Sequence, residues 1–236
     1  MHEPVVLIPG MMADARLFLP QLVGLGAVRA MQVALVTTGE TVEAMSAYVL
    51  ASAPARFALI GHGLGGEVAL DVVRREPDRV TRVVLMATDP LAEAPQAAAA
   101  REARIVAARS GRLGEAMLGE IPRAALADTP WRDEVLALVK DMALGLGEGV
   151  FIRQSRALQR RPDQQKTMRR VKIPALILAG AQDTLVPVRR QEFTAGLMPF
   201  GQMKLIDDAG HLPTLEQPEA VTAALEAFLN GPMLLK

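Results

Sequence analysis

The sequence predicts an α/β protein, a doubly wound, mostly parallel sheet of about six strands with a helical insertion. Three observations carry this. Short apolar, β-branched runs alternate with amphipathic stretches of helical period. Several of those runs are apolar throughout, as parallel strands covered on both faces must be. One long stretch, residues 89–170, holds helical patterns and no convincing strand.

The elements follow in order. Strands are read at Val5–Ile8 and Val33–Val36, then a helix at Thr41–Ala51. The third strand, Phe57–Ile60, leads through a glycine turn into a helix at Glu67–Arg75 that stops near Pro77. Val83–Met86 is the fourth strand. Helical patterns then cover Gln96–Arg109 and Pro130–Leu144. Asp128 or Thr129 is placed to cap the second, with Pro130 in its first turn. The sheet resumes at Ala175–Leu178 and Met203–Ile206. The last two helices, Pro187–Leu197 and Pro218–Leu229, each have proline near the first turn. The expected division is a core of residues 1–88 and 171–236 and a cap of residues 89–170, because a structureless loop of that length does not suit a compact domain.

Composition narrows the function classes. The chain has 236 residues, half of them apolar, with 26 basic and 26 acidic side chains and no cysteine. That length fits one domain with a sizeable core. High apolar content at zero net charge excludes dominant disorder. A balanced charge disfavours nucleic acid as a partner. Without cysteine there is neither a disulfide scaffold nor a Cys-ligated zinc site. Met1-His2-Glu3-Pro4 lacks a basic leader, Val5–Ile8 is too short for a signal core, and no run reaches the ~20 apolar residues of a membrane span. The expectation is a cytoplasmic protein with no membrane partner. Nothing in the sequence encodes an oligomeric state.

The most informative stretch is Ile60-Gly61-His62-Gly63-Leu64-Gly65-Gly66-Glu67, a buried strand, a glycine turn and a helix. Two mechanisms use that geometry. A nucleophile elbow, G-x-S-x-G, sets a serine on a tight turn between small neighbours. Gly61, Gly65 and Gly66 supply the neighbours, but Gly63 stands where serine is expected. A dinucleotide fingerprint, G-x-G-x-x-G, matches Gly61, Gly63 and Gly66, with Asp89 near the acid that should follow. The C-terminal third separates them. Asp183 follows one strand and His211 follows the next. A turn, an acid and a histidine in that order serve nucleophilic chemistry, and a dinucleotide fold needs neither the Asp nor the His.

On these motifs the chain resembles the α/β-hydrolase fold over nearly its whole length. The carriers are Leu7-Ile8-Pro9-Gly10-Met11, the glycine turn, Gly180-Ala181-Gln182-Asp183-Thr184-Leu185-Val186-Pro187 and Gly210-His211-Leu212-Pro213-Thr214-Leu215-Glu216-Gln217-Pro218. The resemblance implies roles. Gly63 occupies the nucleophile position, His211 is general base and acid, and Asp183 orients it. Backbone N–H groups of Met11 and Leu64 form the oxyanion hole. His62 and Met12 line the substrate's site. Such chemistry uses no metal and no organic cofactor, and the implied substrate is a small-molecule ester or lactone. The family usually has a hairpin before its first parallel strand, and often His-Gly where this chain has Pro9-Gly10.

Gly63 has no Oγ, so no acyl-enzyme forms there, and the chain as written is expected to be catalytically impaired. The other serines, Ser46, Ser52, Ser110 and Ser155, lie in helical or cap segments and not on a tight turn. Three readings stay open. A serine was replaced by design to trap substrate, or His211 activates water above Gly63, or the chain is a ligand-binding protein on a hydrolase scaffold. An NAD(P)-dependent oxidoreductase is the remaining alternative.

Plainer roles stand beside the sharp ones. Asp183 would cap the next helix, Asp89 is a rival acid, and Asp14 would bind its own turn. Met11, Met12, Met117 and Met142 would line an adaptable apolar pocket or fill the core. The basic run Arg153, Arg156, Arg160, Arg161, Lys166, Arg169, Arg170 and Lys172 reads as a solvated face. The alternative is that one of its arginines reaches the site and pairs with a substrate carboxylate.

Overall fold

A computed structural model describes residues 2–232. Met1, the first residue of the segment read above for a leader, lies outside them. Six parallel strands form one sheet in the order β2-β1-β3-β4-β5-β6. They are β1 (Val5–Ile8), β2 (Met31–Val33), β3 (Phe57–His62), β4 (Val80–Met86), β5 (Ala175–Gly180) and β6 (Gly201–Ile206). The helices are α1 (Leu19–Gly26), α2 (Val42–Ser52), α3 (Leu64–Arg75), α4 (Pro95–Arg109), α5 (Leu113–Glu120), α6 (Arg132–Leu146), α7 (Glu148–Gln159), α8 (Gln165–Met168), α9 (Val188–Leu197), α10 (Pro213–Glu216) and α11 (Pro218–Asn230).

The apolar runs form the sheet because both of its faces are covered. Every residue of β1, β3, β4 and β5 is buried. Alternate side chains enter two cores. Val5, Leu7, Ala58 and Ile60 face one, with α1, α11 and the insertion helices. Val6, Ile8, Leu59 and Phe57 face the other, with α2 and α3. Burial of side chains of this size stabilises by roughly 1.5–3 kcal/mol each.

β2 runs earlier than Val33–Val36. Its pairing with β1 ends at Leu7↔Val33. Beyond it the chain turns away to accept hydrogen bonds from α7, Gln154 Nε2 to Val36 O at 3.0 Å and Arg153 Nε to Thr37 O at 2.9 Å. α6 begins after Trp131, so neither Asp128 nor Thr129 caps it. Asp128 instead pairs with Arg132 at 2.7 Å. Thr129 lies in the turn before the helix, where its carbonyl accepts Arg132 N–H at 3.2 Å.

Between β4 and β5 the described chain is helical, α4 to α8 with short turns. Among the described residues no helix is long and apolar enough to cross a membrane. Because all strands run one way, the loops after β1, β3, β4, β5 and β6 emerge on one edge of the sheet, where ligands bind in such folds.

Candidate active site

The loop after β3 sets the site's geometry. Gly63 has φ 50° and ψ −118°, a backbone conformation that strains any residue with a Cβ. Yet a Cβ there would meet only Gly10 Cα, at 3.9 Å. The turn is therefore tight but open toward the cavity. Its neighbours are closed. A Cβ on Gly61 would lie 2.4 Å from Gly65 O, and one on Gly65 2.1 Å from Ile8 O. Gly66 packs on Thr88 in the same way. Close packing of strand and helix thus accounts for these glycines without a pyrophosphate.

Asp183 and His211 come together from the loops after β5 and β6. His211 Nδ1 lies 3.2 and 3.1 Å from the two oxygens of Asp183. Asp183 Oδ1 also accepts the N–H groups of Leu185 and Val186 at 2.9 and 3.0 Å. It therefore holds its own loop as well as the histidine. The rival, Asp89, faces Arg190 at 3.6 Å and accepts Leu91 N–H. With Nδ1 taken, Nε2 is the ring nitrogen of His211 left for chemistry.

A cavity of about 510 Å³ sits over this edge. Met11, Met12, His62, Gly63, Leu64 and His211 all line it, and Asp183 lies behind His211, off the wall. Met142 contributes to the wall; Met117 is core. Leu64 is the first residue of α3, where an N–H has no intrahelical acceptor. Met11 lies in the turn closed by Ala13 N–H to Gly10 O at 3.2 Å. Met12, at φ 55°, is held in the left-handed region by its N–H bond to Gln154 Oε1 at 2.8 Å. Asp14 takes the plain role, accepting Arg16 N–H.

His62 is more than wall. Its Nε2–H donates to the carbonyl of His211 at 2.7 Å, and the rings meet edge-on with centroids 5.3 Å apart. Burial, reinforced by the neighbouring His211, pushes its pKa down to about 4. A neutral His62 places no second positive charge beside His211.

Three ionisable groups on this edge escaped sequence reading. Glu216 accepts the N–H groups of Ala127, Gly210 and Leu212 at 2.7, 2.9 and 2.8 Å. It grips both neighbours of His211 and ties them to the insertion. Burial pushes its carboxyl up, and the three amide donors pull it back. Its only sequence signal is the acid in Leu215-Glu216-Gln217-Pro218. Arg101 bridges Glu93 and Glu120 at 2.8 and 2.9 Å and reaches Met11 Sδ at 3.5 Å. Glu67, buried on α3, lines the cavity. An acid inside the run Gly66-Glu67-Val68-Ala69-Leu70 was the available clue. In the basic run, Arg156 pairs with Glu102 and Arg160 with Glu40, while Arg161 is the member on the cavity wall.

Comparison with known proteins agrees with this fold. Residues 5–224 match the model of the alpha/beta hydrolase family. A pimeloyl-[acyl-carrier protein] methyl ester esterase of Aromatoleum aromaticum is 30% identical over 95% of this chain and 92% of its own length. One from Edwardsiella ictaluri is 26% identical over 95% and 87%. Among solved structures, the malate-bound thermophilic esterase of Thermogutta terrifontis superposes with a TM-score of 0.84 at 25% identity, covering 96% of this chain and 89% of that one. The enol-lactonase of Burkholderia xenovorans LB400 shares the fold, with a TM-score of 0.84 at 20% identity over 98% and 93%.

Proposed function

The chain belongs to the alpha/beta hydrolase family, and from that premise we propose that its cavity hydrolyses a small to medium carboxylic ester or lactone. The observation that carries the reading is the His211–Asp183 pair at 3.1 Å, with His211 on the same cavity wall as Gly63. The ester bond is what we carry over from the relatives named above. Residues 1–88 and 171–236 serve as core and residues 89–170 as cap.

The space above Gly63 holds the attacking water. His211 Nε2 takes a proton from that water as its oxygen adds to the carbonyl carbon. Asp183 keeps the proton on Nδ1 and stabilises the imidazolium. The Met11 and Leu64 amides receive the charge that develops on the carbonyl oxygen. The tetrahedral species then expels the alkoxide, and His211 returns the proton to it. His62 and Met12 flank the substrate. No step draws on a metal or an organic cofactor. The missing Oγ favours a second reading, a ligand-binding protein that keeps the site's shape without its chemistry.

A paired assay of this chain and its Gly63→Ser variant tests both, on p-nitrophenyl esters of graded acyl length with His211→Ala as control. We expect turnover by the glycine form that His211→Ala abolishes. If only the serine form is active, and only with His211, residue 63 is a disarmed nucleophile position and water attack is refuted. If neither form turns over any ester, the hydrolase reading fails and binding replaces it.

A further inference from the structure

The cavity wall carries one unbalanced positive charge. Four arginines line it, Arg101, Arg104, Arg161 and Arg190. Arg101 and Arg104 are neutralised by Glu93 and Glu120, and Arg190 faces Asp89. Arg161 makes a different kind of contact. Its Nε donates to the carbonyl of Leu91 at 2.8 Å, which fixes the guanidinium, and among the described residues no carboxylate forms an ion pair with it.

The other half of the feature is Glu67. It is 1% exposed and lines the same cavity. One oxygen takes Gln164 Nε2 at 3.3 Å, and the other, Oε1, is buried without a partner. An unmet buried polar atom costs about 1–3 kcal/mol, so a wall that keeps one invites a ligand to meet it. Burial pushes the Glu67 carboxyl up to about 8, against the pull of Arg161 and with a push from Asp89 and Asp163. At neutral pH it holds its proton and does not cancel Arg161.

We infer that Arg161 and Glu67 form a carboxylate-binding subsite, so that the substrate carries a carboxylate a few carbons from the bond that is cut. The guanidinium offers parallel N–H donors and Glu67 offers O–H, a set that fits one carboxylate. Glu67 lies four residues after Gly63, a helical rise of about 6 Å, which sets the subsite a few carbons from the bond that is cut. The class is therefore the half-ester, or the corresponding lactone acid, of a short dicarboxylic acid. Which bond lies at Gly63 rests on the proposed hydrolase reading; the binding does not.

The test compares adipate with hexanoate, the same chain with and without the second carboxylate, by isothermal titration at pH 7. The unaltered chain should bind adipate at least about tenfold more tightly. Arg161→Gln and Glu67→Leu should remove the preference, and Glu67→Gln, which still donates, should keep most of it. Arg161→Lys guards against a folding defect, since it keeps the charge and should retain part of the preference. Equal affinity for the two acids, or a preference that survives Arg161→Gln, overturns the subsite. If esters are turned over while adipate shows no advantage, the subsite alone falls. If adipate is preferred through Arg161 but no ester is cleaved, the hydrolase reading alone falls.

Discussion

Replacing Glu216 with glutamine should loosen the candidate base without touching it. In the native chain one carboxylate oxygen accepts Ala127 and Gly210, and the other accepts Leu212. Glutamine keeps one accepting oxygen and turns an N–H₂ toward the remaining amide. At least one hydrogen bond to a charged acceptor is lost, about 1.5–3 kcal/mol, and a buried donor faces a donor. The expected destabilisation is about 2–4 kcal/mol. For a domain of this size each kcal/mol shifts Tm by roughly 2–4 °C, so Tm should fall by about 5–15 °C. Calorimetry measures that fall. In an active background, kcat should drop more than KM rises, because the amides that Glu216 holds belong to Gly210 and Leu212, the two neighbours of His211. A Tm within about 1 °C of the native value would falsify the account of Glu216 as a clamp. An effect confined to KM would contradict its link to His211.

Two further outcomes follow from the same geometry. Gly63→Ser should cost only about 1 kcal/mol in urea unfolding, since its Cβ meets nothing closer than 3.9 Å and only the positive φ is penalised; Gly65→Ala, with a Cβ 2.1 Å from Ile8 O, should cost several-fold more, and equal costs would refute the open-turn reading. Stability should also follow the two buried titrating groups. The unfolded chain takes up a proton on His62 below about 6.5 that the folded chain refuses until about 4, so stability is full above 6.5 and falls by about 3 kcal/mol toward pH 4. Glu67 works the other way: the folded chain keeps its proton to about 8 while the unfolded chain releases it near 4.5, so stability is full below 4.5 and declines by about 5 kcal/mol toward pH 8. Urea titrations of the native chain and Glu67→Gln across pH 4.5–8 should show the alkaline decline only in the native chain, and the same slope in both would contradict a protonated Glu67.

What the sequence made legible was local. The runs at Val5–Ile8, Phe57–Ile60 and Ala175–Leu178 are strands because consecutive apolar residues suit only a strand covered on both faces. Gly63, Asp183 and His211 stood out because each follows a strand legible in the sequence, and the parallel sheet brings the loops that carry them to one edge. The rest depended on partners distant in the chain. β2 ends early and the carbonyls of Val36 and Thr37 beyond it go to α7, more than a hundred residues on. Glu216 looked like one acid among 26 until its oxygens were seen on the amides beside His211. The basic run could not be resolved because its members differ only in direction, and Arg161 alone of them turns to the cavity.

The pairing of β4 with β5 has a consequence for how the cap can vary. Val83–Met86 lie beside Ala175–Leu178, so the chain leaves the sheet and returns to the adjacent strand. Everything between is a closed excursion whose ends the sheet already holds. The entropy of closing such an excursion grows only with the logarithm of its length, about 0.6 kcal/mol for each doubling. The sheet is thus nearly indifferent to how much chain passes between those two strands. What registers the excursion is a set of ties that includes Ala127 to Glu216, Arg101 to Met11, Gln164 to Glu67 and Gln154 to Met12. A different cap that kept them could be set on the same frame, changing what the cavity admits while leaving His211 where it stands.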